Sequence, residues 1–142
     1  MEKLELFLKK NKVKRENIQY PATTSLVDEN GEPLLWELRA VTTKENNKLV
    51  DEAVRYIGQA DGETKATLDN VVYTRAFITA AVVFPDLHNK ALQDSYGVMT
   101  PEELLEEMID SPDEFAALAK KVKELSGISK KQEAAEVSEA KN

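Results

Sequence analysis

Cysteine is absent from the 142 residues, which excludes disulfides, thiolate metal sites and cysteine nucleophiles. Histidine occurs once, at His88; a zinc site needs three or four ligands, so carboxylates alone would have to complete one. Aromatic residues make up only 6% of the chain, and its five glycines form no phosphate-cradling pattern. The nearest approach, Gly58 to Gly62, lacks a third glycine and a strand-to-helix setting. Long apolar runs are missing too. The most apolar stretch, residues 77–84, is far shorter than the ~20 residues a membrane span needs. The opening residues interleave charged with apolar side chains, unlike a signal peptide. Positive charge is in deficit: 19 Lys and Arg face 26 Asp and Glu, a net charge of -7. A phosphate backbone is repelled on average, so general nucleic-acid binding is disfavoured.

What is present is sufficient for one domain with its own core. Residues 2–11 place Leu4, Phe7 and Leu8 at helical spacing, followed by the basic run Lys9, Lys10, Lys12, Lys14 and Arg15. Residues 34–41, Leu-Leu-Trp-Glu-Leu-Arg-Ala-Val, alternate with period two and predict a strand packed on one side. The turn cluster at 28–33 precedes them, and the β-branched residues 23–27 are expected to pair back as a β-hairpin. Thr42 and Glu45 fit a capping box, predicting a helix that buries Leu49, Ala53, Val54 and Ile57. Residues 58–67 read as a mobile polar loop. A central helix capped by Asp69 then presents Val72, Tyr73, Ala76, Phe77, Ala80 and Val83, ending before Pro85.

Residues 86–94 read as a short helix with Leu87, Ala91 and Leu92 inward. Thr100-Pro101-Glu102-Glu103 and Ser111-Pro112-Asp113-Glu114 are two strong helix starts, each with a hydroxyl N-cap and Pro at the first helical position. The first helix carries Leu104, Leu105, Met108 and Ile109. The second carries Phe115, Leu118, Val122 and Leu125, with Gly127 where a terminating glycine belongs. Their short connection predicts an αα-hairpin. The fold class is therefore α+β and mostly helical: a short β-hairpin near the N-terminus, about five helices and a C-terminal αα-hairpin. Residues 1–127 are expected to form a single domain and residues 128–142 a flexible polar tail.

Catalytic chemistry finds little support. None of Ser25, Ser95, Ser111 or Ser126 stands in a Gly-x-Ser-x-Gly elbow. Eight acids and no basic residue lie between Lys90 and Lys120. Paired acids can do acid–base work. Several of these instead occupy first helical turns, where they favour the helix dipole, or lie opposite the apolar stripe as a solvated face. The remaining functional reading is an acidic surface that steers a basic partner. No cofactor is expected, and the chain reads as a binding module, not an enzyme.

Two stretches carry a family likeness. One is 31–42, Gly-Glu-Pro-Leu-Leu-Trp-Glu-Leu-Arg-Ala-Val-Thr, with Glu45 beyond it. The other is 85–98, in which Leu-Gln-Asp-Ser-Tyr-Gly-Val (92–98) is the most specific part. With the helix residues that follow, they resemble the XkdN-like phage tail assembly chaperones of Gram-positive phages and prophages. The likeness runs from about Leu6 to Gly127. It departs at Ser25-Leu26-Val27, where the family tends to have a basic residue and Phe, and at 58–67.

The resemblance implies a chaperone in the cytoplasm of the bacterial host. It would coat the aggregation-prone tape measure protein while the tail tube assembles and be absent from the finished particle. The major tail tube protein is a second candidate partner. Gln93, Asp94 and Tyr96, together with Glu103 and Glu107 on the acidic hairpin, are the expected partner-binding residues. The bland reading of the first three is turn capping at Asp94 and core packing of Tyr96. Two other functions stay open on the residues alone: an acidic interaction or regulatory module, as charge mimic or adaptor, and a carboxylate-metal hydrolase.

Overall fold

The computed structural model describes residues 3–128, and its centre is set by the stretch that alternates most clearly in the sequence. Within it, β2 (Trp36–Leu38) buries Trp36 and Leu38 completely and leaves Glu37 half-exposed. Each such large side chain removed from water contributes about 1.5–3 kcal/mol. On one side β2 pairs antiparallel with β1 (Ile18–Tyr20), on the other with β5 (Val82–Phe84), in the order β1-β2-β5.

The expected hairpin partner is thus corrected. Residues 23–27 do turn back: Leu34 N–H donates to Leu26 O and Asp28 N–H to Glu32 O, with an isolated bridge between Val27 and Pro33. They do not run along Trp36–Leu38, because Thr23 is buried and bonded elsewhere, to Glu114. The strand edge they would have taken goes to Ile18–Tyr20.

The capping box at Thr42 is present. Thr42 Oγ1 accepts from Glu45 N–H, and the Glu45 carboxylate accepts from Thr42 N–H, opening α2 (Thr43–Ala53). Arg39 grips the same carboxylate at 2.9 and 2.5 Å. The Arg39 guanidinium, followed by the Thr42 amide and hydroxyl, holds the Glu45 carboxyl at about 2. Beyond Ala53 the expected helix does not continue. Val54 and Ile57 belong instead to β3 (Val54–Gly58), paired antiparallel with β4 (Thr64–Leu68), so the expected loop at 58–67 is mostly a hairpin. The physical reason lies in the residues: Val54, Tyr56 and Ile57 suit a strand as well as a helix. Gly62, at φ 87°, closes the turn that Gln59 and Glu63 bridge. Tyr56 and Ile57 stand exposed on this arm.

Helix α3 (Asn70–Ala81), capped by Asp69, buries Tyr73, Phe77, Ile78 and Ala81 at the middle of the core. Tyr73 and Phe77 meet as tilted rings with centroids 5.7 Å apart, and the Tyr73 hydroxyl donates to Asn46 on α2. The helix stops three residues earlier than expected, since Val82–Phe84 extends to fill the second edge of β2. Val83 is accordingly exposed. The peptide bond between Phe84 and Pro85 is cis.

The short helix of 86–94 is shifted: Asn89 caps α4 (Lys90–Ser95), with Leu87 buried ahead of it and Ala91 exposed, not inward. At the N-terminus, α1 (Lys3–Leu6) is a single turn followed by a 3-10 turn, Lys9–Asn11, in place of one helix over 2–11. Leu4, Phe7 and Val13 are all largely exposed. The last two helices, α5 (Pro101–Met108) and α6 (Pro112–Ser126), form the expected αα-hairpin. Ile128 packs against the core and donates to Lys123 O. Ile128 is thus held, although the tail is expected to begin there, and the rest of that expected tail, residues 129–142, lies outside the described residues. Six α-helices and two small antiparallel sheets among the described residues make this an α+β fold.

Candidate protein-binding surface

The αα-hairpin is built by its caps. Thr100 Oγ1 accepts from Glu103 N–H and Ser111 Oγ from Glu114 N–H, each satisfying a donor left over at a helix start. Leu104, Leu105, Leu118 and Val122 then face inward. At the far end Gly127 adopts the left-handed conformation, and Arg15 reaches across to donate to Leu125 O at 2.8 Å. Ser126 Oγ accepts from Val41 N–H, joining α6 to the segment after β2.

Several of the eight acids have bonds of their own, Asp94 with Lys90 among them. Glu103 completes the Thr100 cap, accepting the hydroxyl at 3.0 Å. Glu106 pairs with Arg75 of α3 at 2.9 Å. Glu114 receives the Thr23 hydroxyl at 2.8 Å and the Thr24 amide at 2.8 Å, which hold its carboxyl below the usual carboxylate range. The acid run is therefore partly a set of ties between α5–α6 and the rest of the fold. Sequence spacing could not expose these ties, because their partners lie about 30 and 90 residues away.

Beside these ties lies an open groove of about 890 Å³. Pro112, Phe115, Ala116, Ala119, Lys120 and Lys123 line it from α6, at the three- and four-residue spacing of a single helix face. Thr74 of α3 and Ile109 complete its floor. Glu106, Glu107 and Asp110 border it on the α5 side. A second lobe of about 340 Å³ continues from Phe115 and Glu106 past Thr74 to Val71 on α3. Val71 is exposed and Phe115 half-buried. The surface is thus apolar along its floor, with acids on one side and lysines on the other.

Of the five expected partner-binding residues, Glu107 alone lines this groove. Gln93 is half-buried and donates from Nε2 to Leu87 O at 2.9 Å, while its own carbonyl accepts from Val98 N–H. Tyr96 is half-buried and packs on the core. Asp94 is exposed, with Lys90 Nζ at 3.4 Å, and its carbonyl accepts from Gly97 N–H. Phe115, expected on a core face, is half-buried where α3 approaches α6 and lines the groove. His88 is exposed, with Asp86 at 3.7 Å. Among the described residues no group of three or more His, Asp or Glu could hold a metal ion. No helix among them is long and apolar enough to cross a membrane.

The chain is 24% identical over 124 residues to the phage-like element PBSX protein XkdN of Bacillus subtilis, covering 87% of this chain and 84% of that protein. It is 23% identical over 124 residues to YqbN of the same organism, covering 87% and 83%. The crystal structure of YqbN shares the fold with a TM-score of 0.73 at 20% identity, covering 91% of this chain and 99% of that one. The family model of the phage XkdN-like tail assembly chaperone protein (TAC) matches residues 4–141. The chain belongs to the XkdN-like phage tail assembly chaperone family.

Proposed function

We propose that this chain binds the tape measure protein of its phage, keeps it soluble while the tail tube assembles around it, and leaves before the particle is complete. It would act in the cytoplasm of the bacterial host, without catalysis or cofactor. The observation that carries this reading is the open apolar groove on the αα-hairpin, in a chain that belongs to the tail assembly chaperone family. A long helical client exposes apolar stripes that aggregate when left uncovered. A groove with an apolar floor can cover such a stripe.

Glu107 lies at the groove and is its first proposed contact. Gln93, Asp94, Tyr96 and Glu103 are proposed as a flanking part of the same surface through whatever each leaves exposed. Gln93, Tyr96 and Glu103 also support the fold, so their substitution needs a folding control. The major tail tube protein is a second proposed partner. Residues 3–128 form one proposed structural unit, its buried apolar side chains gathered in one cluster.

The test is co-expression with the tape measure protein of the same genome. Solubilisation and co-purification that persist in moderate salt support the reading; a tape measure that stays insoluble in the presence of well-folded chaperone refutes it.

A further inference from the structure

We infer that the groove between α3, α5 and α6 is specific for one kind of occupant: an amphipathic helix whose apolar stripe carries basic residues on one shoulder and acidic residues on the other. This deepens the proposed function and rests on it for the identity of the client, though not for the chemistry. The length fits. From Pro112 to Lys123 the groove follows eleven residue steps of α6, about 16 Å, which matches three turns of a bound helix. The floor fits as well. Ala116 and Ala119 are small enough to admit another helix closely, and Ile109 and Phe115 offer apolar contact beneath.

The charges supply the selectivity. Glu107 and Asp110 stand at the α5 side and Lys120 at the α6 side of one floor. A helix with acids on both shoulders meets like charge along α5, and one with lysines on both meets it along α6. Such rim charges contribute little to raw affinity but discriminate between partners. A pocket for a small polar ligand would instead show several convergent buried polar groups. Here the sole buried side-chain polar atom without a bond, among the described residues, is Arg75 Nε. Its Nη1 is engaged by Glu106.

The experiment uses the full 142-residue chain and three synthetic helical peptides of about 14 residues. All share the same leucine stripe; their shoulders are Lys/Glu, Glu/Glu or Lys/Lys. Fluorescence anisotropy should rank Lys/Glu above both others by about tenfold, from two or so rim pairs of modest strength. Glu107→Lys with Asp110→Lys should reverse the ranking, so that Glu/Glu binds best. Ala116→Gln, an exposed position in a helix, should weaken all three with the fold intact by circular dichroism.

Equal binding of the three peptides, or a ranking unmoved by the charge reversal, overturns the proposal. So does self-association of the chain that Ala116→Gln abolishes while no peptide binds, since the groove would then belong to a second copy. If the peptides behave as expected and the tape measure still precipitates in co-expression, the groove chemistry stands and the assigned client fails. If the tape measure is solubilised equally by wild type and Ala116→Gln, the client stands and the groove is not where it binds.

Discussion

Replacing Glu45 by Gln or Ala separates two contributions that share one carboxylate. Glu45 closes the capping box with Thr42 and pairs with Arg39. Loss of an N-terminal cap costs about 1 kcal/mol. The ion pair is bidentate, but its side chains are 35% and 36% exposed. Solvent screening therefore limits it to about 1 kcal/mol, well below what the displacement of the Glu45 pKa would give if converted directly. Gln keeps an acceptor oxygen for the Thr42 amide and loses the charge, so Glu45→Gln should cost about 1 kcal/mol at pH 7 and Glu45→Ala about 2 kcal/mol.

The sign of the pH dependence follows from the lowered folded value. The carboxyl titrates at about 2 in the fold against an ordinary 4.5. Its contribution is complete above pH 4.5 and is lost as pH falls through 2, with more than half gone by pH 3. Urea unfolding of wild type and both variants between pH 3 and 7 is the assay. The gap between wild type and Gln should shrink toward pH 3. The gap between Gln and Ala should stay constant, because neither side chain titrates. A wild-type-to-Gln gap that is flat across this range would refute the assignment of the displacement to Arg39.

Phe77, wholly buried at the centre of α3, should cost about 3–5 kcal/mol when cut to Ala, read by the same urea titration with unchanged slope. Removal of the residues through Val13 should leave the melting temperature within about 1 °C, because the described part of this arm contains no buried side chain. Amides of β3 and β4 should exchange with solvent well before those of α3 in hydrogen-exchange measurements, since an exposed two-stranded hairpin opens locally. Raising salt should also reduce the peptide ranking proposed for the groove, because its rim charges are largely open to solvent.

The parts of the fold legible in the sequence are those whose signals are local. Alternation over 34–41 announced β2, hydroxyl caps with Pro at the next position announced α5 and α6, and Thr42 with Glu45 announced α2. The misreadings have a common cause. Three-residue strands such as Ile18–Tyr20 and Val82–Phe84 are too short for periodicity to show, and only the open edges of β2 make them strands. Leu49, Ala53 and Ile57 keep helical spacing straight through the point where α2 stops.

The candidate surface was half legible. Of the α5 acids, Glu103 and Glu107 are the expected partner contacts, and Glu107 lines the groove. Gln93 is expected only as a partner contact, because a side chain that bonds the Leu87 carbonyl leaves no mark in residue spacing. The groove itself required α3 and α6 to meet, and Val71 and Phe115 are more than forty residues apart in the chain.

An open groove is consistent with a chaperone that must let go. Its floor is shallow, with Ile109 and Ala119 already buried in the fold and only Phe115, Ala116 and Val71 offering substantial new contact. A few half-buried apolar contacts, each about 1 kcal/mol, leave little surplus over the translational and rotational cost of association. A single helix bound this way is held weakly, near the millimolar range, about 4 kcal/mol. Such an interaction protects a client only by repetition, many chaperones covering many stripes along one long chain. The same arithmetic permits removal. On the proposed function, arriving tube subunits would displace the chaperones one groove at a time, each having only its own weak contact to lose. Selectivity then cannot come from the apolar contacts, which every leucine stripe makes alike. It has to come from the opposed charges on the two sides of the groove, which add little to binding but reject stripes with the wrong shoulders.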